Sequence, residues 1–449
     1  MALNRRSFLR QSGLVIAAGS MGSVIASRSV AHAQGSKLVT GYGPLVKDPD
    51  GLLDLPAGFR YRAISREGDP LTGGGLVPAS HDGTGAFSAG VFGTFLVRNH
   101  ELNLDGIVED GLTPVAQVAG LSYDPEAVGG TTTLLVSPGG RLISHKISLS
   151  GTLDNCAGGP SPWGTWLSCE ETFETLVKPH GYVFEVDPWR GGNPEPIRAL
   201  GRFEHEAVAF ARDGTAYLTE DASGPLGCIY RFQPTRRHGG RGSLHTGGSL
   251  HAMVIDGVQS DLSVVQEPGT VLGVRWVEVP NREPGDTDAP VREQVIGKGA
   301  TPIRKAEGAW RGLDGAIWFT ASYAEGPDAE DPDDATEARH SGQIWRYDPR
   351  AETLALVAIF PFGSPYDGPD NITVSPHGFA LACTDGEDEN WLIGINDQGG
   401  TFEFARNAST DDEFTGATFS PDGRTLFVNI QGEPAVTFVI TGPWVTGAR

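Results

Sequence analysis

The chain has 449 residues, with 56 Asp and Glu against 34 Lys and Arg, so its formal net charge is −22 at pH 7. A chain this acidic repels nucleic-acid phosphates, and the composition therefore argues against a nucleic-acid partner. Its hydrophobic content of 39% is ordinary for a soluble protein, and all-β domains of this length often form one unit.

The N-terminus has the three parts of a targeting segment. A twin-arginine pattern spans Asn4–Arg10, a weakly apolar stretch spans Leu14–Ala26, and Ala31–Ala33 is an A-x-A cleavage site. The apolar stretch is short for a membrane helix, so we expect no stable span. We predict that residues 1–33 are a twin-arginine signal peptide. The export machinery is then a partner, and the protein is periplasmic or secreted.

Residues 34–449 are predicted to form one domain, because a single pattern recurs along them. The first, partial copy is FGTFLVRNHE, with Gly93, Asn99 and Glu101, and its first strand does not align. The clearest copy is EAVAFARDGTAYLTED, Glu206–Asp221, in which acidic residues lie eight before and six and seven after Gly214. The same frame fits four further segments: Cys156–Glu171, Glu307–Ser322, Asp370–Asp385 and Thr415–Ile430.

Each copy has apolar and β-branched runs on both sides of an X-Gly pair, which predicts a β-hairpin with a tight turn. Further strand-like segments follow several copies, among them Tyr182–Pro188, Ile229–Pro234 and Ile344–Pro349. Six units of about four strands each predict an all-β, six-bladed β-propeller, with seven blades as the alternative.

The recurring acids are predicted to form a metal site at one mouth of the central channel. In an antiparallel hairpin the start of the first strand lies beside the end of the second, so every copy delivers its acids to the same end. Carboxylates crowded in this way resist ionisation unless cations hold them. The predicted ligands are Glu101, Cys156, Glu171, Glu206, Glu220, Asp221, Glu307, Asp370 and Asp385.

The donor types indicate which ions would bind. Many carboxylate oxygens suit Ca²⁺, whereas one thiolate among them suits a softer or trivalent ion. Cys156 takes the frame position held elsewhere by acids, which favours a thiolate ligand over a free buried thiol. The other cysteines, Cys169, Cys228 and Cys383, have the pattern of strand residues, and their disulfide status is open.

Some cationic and amide side chains lie close to the acids in sequence. Arg311 comes four residues after Glu307, so strand alternation places it on the same face, where it would pair with acids or hold an anionic substrate. Arg98 and Asn99 are further candidates for substrate binding, and Asn155, like Arg311, for a catalytic role. Since no G-x-S-x-G elbow occurs, metal-activated water or oxide is the expected nucleophile, and phosphate esters are the expected substrate class.

Several motifs resemble those of the PhoX-type alkaline phosphatases. They are DNCAGG at Asp154–Gly159, PWGTWLSCEE at Pro162–Glu171, NHE at Asn99–Glu101 and FSPDGRTLFVNIQ at Phe419–Gln431. The resemblance runs from about Leu38 to the C-terminus. It implies a six-bladed propeller that hydrolyses phosphomonoesters with a cluster of ferric iron and calcium bridged by an oxo group.

The same resemblance implies roles for individual residues. Cys156 would be an iron ligand and Arg311 would contact phosphate. The acids that would share iron and calcium are Glu171, Glu206, Glu220, Glu307, Asp370 and Asp385. The expected protein is a monomeric, exported enzyme of phosphate acquisition that acts on small phosphomonoesters.

Two other functions fit a propeller with an acidic mouth. One is a calcium-dependent lactonase or esterase, and the other is a binding propeller that uses calcium only for stability. Neither requires a thiolate at a ligand position, so metal content distinguishes them from the phosphatase.

Overall fold

The computed structural model describes residues 41–222, 226–322, 340–361, 364–386 and 388–444. The signal peptide predicted at residues 1–33 lies outside the described residues. Before the first complete blade come three strands: β1 (Leu45–Val46), β2 (Leu53–Pro56) and β3 (Arg60–Arg66).

The first three blades follow in chain order, each starting with its innermost strand. Blade one contains β4 (His81–Ser88), β5 (Thr94–His100), β6 (Gly129–Val136) and β7 (Leu142–Thr152). Blade two contains β8 (Asn155–Pro160), β9 (Trp166–Glu170), β10 (Val183–Asp187) and β11 (Gly191–Gly192). Blade three contains β12 (His205–Phe210), β13 (Ala216–Glu220), β14 (Ile229–Pro234), β15 (Gly248–Ile255) and β16 (Val271–Glu278).

The last three blades repeat the arrangement. Blade four contains β17 (Ala306–Arg311), β18 (Ile317–Ala321), β19 (His340–Asp348) and β20 (Thr353–Pro361). Blade five contains β21 (Pro369–Val374), β22 (Ala380–Thr384), β23 (Trp391–Ile395) and β24 (Thr401–Asn407), extended outward by β2 and β1. Blade six contains β25 (Phe414–Phe419), β26 (Thr425–Ile430) and β27 (Val436–Thr441), and β3 is its outer strand.

The six innermost strands form a closed ring. Each one contacts the innermost strand of the next blade, and β25 returns to β4. The outer strands β16 and β20 also pair, so that blades three and four share one sheet. The predicted β-propeller is thus confirmed, and the ring is closed by pairing of the N-terminal β3 with the C-terminal β27.

Helical structure among the described residues is limited to short segments. The α-helix is α1 (Val291–Ile296), single 3₁₀ turns occur at Gly90–Phe92, Arg198–Leu200, Ser243–Thr246 and Leu262–Val264, and a π turn occurs at Gly106–Asp110. In the described parts of the chain, no helix has the length and apolar character needed to cross a membrane.

The apolar core lies between neighbouring blades. Leu167 of blade two packs with Val208 and Leu218 of blade three, and all three side chains are fully buried. Burying such a side chain contributes roughly 1.5–3 kcal/mol. Near the axis the strands approach so closely that a Cβ added to Gly159 would lie 1.6 Å from the Val208 carbonyl oxygen. This close approach brings the ends of the inner hairpins together at one mouth.

Candidate metal centre

A β-bulge interrupts the inner hairpin of every blade near the start of its first strand, and in blades two to five it holds the ligand that the sequence frame predicts. The register shifts lie between His81 and Thr84, Asn155 and Gly158, His205 and Val208, Ala306 and Ala309, Pro369 and Ile372, and Thr415 and Thr418. A bulge re-aims the extra residue out of the ladder. In blades one to five the residue after the last pair before the bulge is, in order, Asp82, Cys156, Glu206, Glu307 and Asp370, which we call the first ring. In blade six Thr415 is still paired and the bulge begins at Gly416.

A second ring of side chains follows the last paired residue of each second strand. His205, for example, pairs with Glu220, and Asp221 comes next. The residues at this position are Glu101, Glu171, Asp221, Ser322, Asp385 and Gln431. The two non-acidic side chains at this level donate to acids of the centre. Ser322 Oγ donates to Glu307 at 2.7 Å, and Gln431 Nε2 donates to Glu101 at 2.6 Å.

The acids of these two rings and Cys156 assemble, together with Glu413, into one continuous cluster. Five groups of three residues each bring their possible ligand atoms within 4.8 Å of one another. The groups are Asp82–Glu101–Cys156, Cys156–Glu171–Glu206, Glu171–Asp221–Glu307, Glu206–Glu307–Asp370 and Asp370–Asp385–Glu413. Because neighbouring groups share members, the cluster runs through all six blades. It brings together every ligand predicted from the sequence except Glu220.

The electrostatics of the cluster fit bound cations. Both carboxylate oxygens of Glu206 are fully buried beside Cys156, with no nitrogen or oxygen donor from the described residues. Burial and the neighbouring carboxylates of Asp370 and Glu307 raise the pKa of Glu206. Burial and nearby acids likewise raise the pKa of the Cys156 thiol. A buried carboxylate without an N–H or O–H donor is costly, so cations are the natural partners of these groups.

Glu220 lies outside the cluster because of strand pleating. Successive residues point to opposite sides, and Asp221, not Glu220, faces the mouth. Glu220 instead accepts hydrogen bonds from Tyr230 at 2.5 Å and from Arg292 at 3.1 Å. Burial raises the pKa of Glu220 to about 7, against the opposing effect of Arg292.

Two members of the cluster, Asp82 and Glu413, escaped the sequence frame. The hairpin that carries Asp82 has a longer turn, with a 3₁₀ segment at Gly90–Phe92, so its spacing differs from the frame. Glu413 lies two residues before Thr415, outside the pattern. A usable signal for Asp82 is the small residue that follows it. Gly83 matches the Gly or Ala that follows most other first-ring residues. The position requires a small residue, because a Cβ added to Gly83 would lie 2.6 Å from Ala157 Cα.

A cation also reaches the cluster. Lys305 Nζ contacts Asp221 Oδ2 and lies 3.3 Å from Glu307 Oε1. The backbone of Lys305 has φ 47°, a left-handed conformation that is uncommon for a residue with a side chain. Lys305 was missed in the sequence because it precedes the hairpin frame by two residues.

Arg311 lies at the opposite end of its strand from Glu307. Glu307 is near the start of β17 and Arg311 is its last residue, where the exposed side chain adjoins the hairpin turn. Four residues of β-strand span about 13 Å, so the structure does not bring Arg311 to the acidic mouth. Its predicted contact with phosphate stays a prediction.

Arg98 is buried between blades six and one. Its guanidinium donates to hydroxyls of Ser65, Thr132 and Thr437. Burial lowers the pKa of Arg98 to about 9. This network holds the side chain within the ring, away from solvent.

Asn99 and Asn155 are also fully buried. Asn155 accepts from Thr152 at 2.5 Å and donates to Ser168 at 2.9 Å. Asn99 donates to the main chain of Cys156 at 2.9 Å. Asn99 therefore supports the backbone of Cys156, whereas Asn155 bonds the side chains of Thr152 and Ser168.

Comparisons with known proteins agree with this architecture. The family model described as alkaline phosphatase PhoX matches residues 40–143 and 141–434, a span that takes in every residue of the cluster. The solved structure of Pseudomonas fluorescens PhoX in complex with vanadate, a transition state analogue, is 18% identical with a TM-score of 0.67. It aligns over 91% of this chain and 98% of that chain.

A gluconolactonase from Xanthomonas campestris, XC5397, is 12% identical with a TM-score of 0.47, over 89% of this chain and 98% of that chain. No curated protein matches the chain.

Proposed function

Because the chain belongs to the PhoX family of alkaline phosphatases and is thus a phosphoric monoester hydrolase, we propose that the acidic mouth is its active site. There, iron and calcium ions would serve the hydrolysis of small phosphomonoesters to inorganic phosphate. The observation that carries the proposal is the continuous cluster of acids around one cysteine, to which all six blades contribute.

The donor sets suggest how the ions are distributed. The group that contains Cys156, Glu171 and Glu206 combines a thiolate with two carboxylates, which suits ferric iron. The all-oxygen group of Asp370, Asp385 and Glu413 suits calcium. Such ions, when bound, supply charge neutralisation and a water of lowered pKa.

The residues of this chain would orient the substrate. Lys305 reaches the mouth, where its ammonium lies beside Asp221 and Glu307. When cations neutralise these two carboxylates, their attraction for Lys305 weakens. The Lys305 ammonium would then donate to a phosphoryl oxygen and hold the ester at the mouth.

Substrate would reach the site from the mouth, because the channel beneath it is narrow. A cavity of about 20 Å³ lies among small inner-strand residues such as Gly83, Ala157 and Gly308, with Trp166 and Trp310 beside it. Such a cavity holds about one water molecule. The channel would thus exclude bulk water from one side of the site.

Export completes the proposal. The twin-arginine pattern supports transport of the folded, metal-loaded protein to the periplasm or outside the cell, where a monomeric phosphatase would serve phosphate acquisition.

The test combines metal content with activity in matched variants. Protein purified after twin-arginine export is assayed for iron and calcium by elemental analysis and for hydrolysis of p-nitrophenyl phosphate at alkaline pH. We expect both metals and phosphatase activity in the wild type. Glu206→Gln is expected to lose both, whereas Glu220→Gln, which changes a buried carboxylate outside the cluster, keeps them. Calcium alone without phosphatase activity would overturn the proposal in favour of a lactonase or a binding propeller.

A further inference from the structure

In every blade, one residue of the second strand lies directly before the last residue that pairs with the innermost strand. Its side chain is fully or almost fully buried. Four of the six side chains at this position carry a hydroxyl or an amide, and two are cysteines. The six residues are Asn99, Cys169, Thr219, Thr320, Cys383 and Asn429.

Asn99 joins blade one to the bulge of blade two. Its Nδ2 donates to the carbonyl oxygens of Cys156 at 2.9 Å and Ala157 at 2.6 Å. Its Oδ1 accepts from Trp166 Nε1 at 3.0 Å and Ser168 Oγ at 2.9 Å. All the hydrogen-bonding capacity of the amide is used, so its orientation is fixed.

The same contact occurs at two other blade boundaries. Thr320 Oγ1 of blade four donates to the Asp370 carbonyl oxygen of blade five at 2.5 Å. Asn429 Nδ2 of blade six donates to the Asp82 carbonyl oxygen of blade one at 2.8 Å, and its Oδ1 accepts from Thr437 at 2.7 Å. In each case the carbonyl belongs to the first-ring residue of the next blade.

The bulges explain why these carbonyls need an outside donor. A bulged residue is left out of the strand ladder, and its buried carbonyl must find another partner. A donor from the preceding blade satisfies the carbonyl and also fixes the position of the ligand relative to that blade.

We propose that Asn99, Thr320 and Asn429 are positioning residues, which fix the main chain of Cys156, Asp370 and Asp82 across blade boundaries. The inference rests on the proposed function in that these three residues are taken as metal ligands. Groups that orient metal ligands typically change metal affinity by about 10–100-fold when removed.

Thr320 gives the sharpest test, because Val has its shape without the hydroxyl and Ser keeps the hydroxyl. Metal-loaded protein is incubated with excess EDTA well below its melting temperature, and iron and calcium retained after desalting are followed with time. We expect Thr320→Val to lose metal about 10-fold faster than the wild type, and Thr320→Ser to lose it at nearly the wild-type rate. Thr131→Val, which removes a buried hydroxyl that, within the described parts of the chain, bonds Ser148, is the matched control and is expected to retain metal.

Asn99→Leu provides a second variant, with faster metal loss expected, and circular dichroism and melting temperature report folding in each case. Wild-type rates of metal loss in folded Thr320→Val, or equal rates in the Val and Ser variants, would overturn the positioning role while leaving the proposed function intact. A wild-type protein that holds no metal would overturn both.

Discussion

Cys156 is the one soft donor in a centre built otherwise from carboxylates. Burial and the acids around it raise the pKa of its thiol, so an ionised Cys156 needs a metal beside it. We predict that Cys156→Ser lowers iron content at least about 10-fold and abolishes phosphatase activity, while the propeller stays folded. Elemental analysis and circular dichroism measure the two effects. Cys228→Ala, a buried thiol outside the cluster, is the control, and full iron content in Cys156→Ser would refute the ligand assignment.

Lys305 and Arg311 are competing candidates for the group that binds phosphate. Only Lys305 contacts the acidic cluster, whereas Arg311 lies at the turn end of its strand. A charge-assisted hydrogen bond contributes about 1.5–3 kcal/mol, so we expect Lys305→Met to lower kcat/KM about 10–100-fold, mainly through KM. Arg311→Met is expected to leave steady-state kinetics near wild type. The reverse ranking would restore the role predicted for Arg311.

Residue identity alone does not show which of two adjacent acids points toward the mouth. Glu220 and Asp221 are adjacent acids at the end of one hairpin, and the frame could not tell which of them the pleat turns toward the mouth. The structure decides through the bulge after His205, which sets the register of the pair. Glu413 and Lys305 lay beyond the frame because they precede their inner strands.

At the scale of elements, the hairpins were predictable because local chemistry determines them. Apolar alternation around an X-Gly turn requires no information from the rest of the chain. The first hairpin shows the limit of such prediction. Its longer turn at Gly90–Phe92 changes the spacing, so the pattern does not identify Asp82. The bulges themselves depend on close packing between blades, which a linear pattern does not record.

A buried ionic triad joins a loop of blade one to a strand and a loop of blade two. His180 Nδ1 lies 2.6 Å from Glu170 and its Nε2 lies 3.6 Å from Asp124. Burial lowers the pKa of His180, but the two carboxylates outweigh it and the net pKa is raised. The triad therefore stabilises the fold fully below the ordinary histidine pKa of about 6.5, and this contribution is lost as the pH rises through the higher folded pKa.

This linkage predicts how a His180→Gln variant behaves. Its melting temperature should fall furthest below that of the wild type near pH 6, and the gap should narrow toward pH 9. Thermal melts across this pH range measure the gap, and His251→Gln, at a histidine whose pKa is lowered, serves as the control. A gap that widens with pH would show that the triad does not carry the charge assigned to it.

At the scale of the whole molecule, two features act on the closed ring. One is the pairing of the N-terminal β3 with the C-terminal β27, in which Arg66 lies opposite Val436 and Arg60 opposite Thr441. The other is the acidic cluster, which draws carboxylates from all six blades to one mouth. The first closes the ring through backbone hydrogen bonds, whereas the second pushes the blades apart unless cations neutralise it.

Metal removal is therefore expected to destabilise the entire propeller. A ligand that binds only the folded state adds about 2.7 kcal/mol of stability when its concentration is 100 times its dissociation constant. We predict that EDTA lowers the melting temperature by several degrees, and that excess Ca²⁺ restores part of the loss whereas Mg²⁺, which demands octahedral geometry, restores less. Differential scanning calorimetry measures each step.

Glu206→Gln removes one buried charge from the cluster, so its apoprotein should melt above the wild-type apoprotein even though it binds metal poorly. A wild-type apoprotein as stable as the loaded wild-type enzyme would show that protons rather than metal ions neutralise the carboxylates. It would also show that the ions do not hold the ring together.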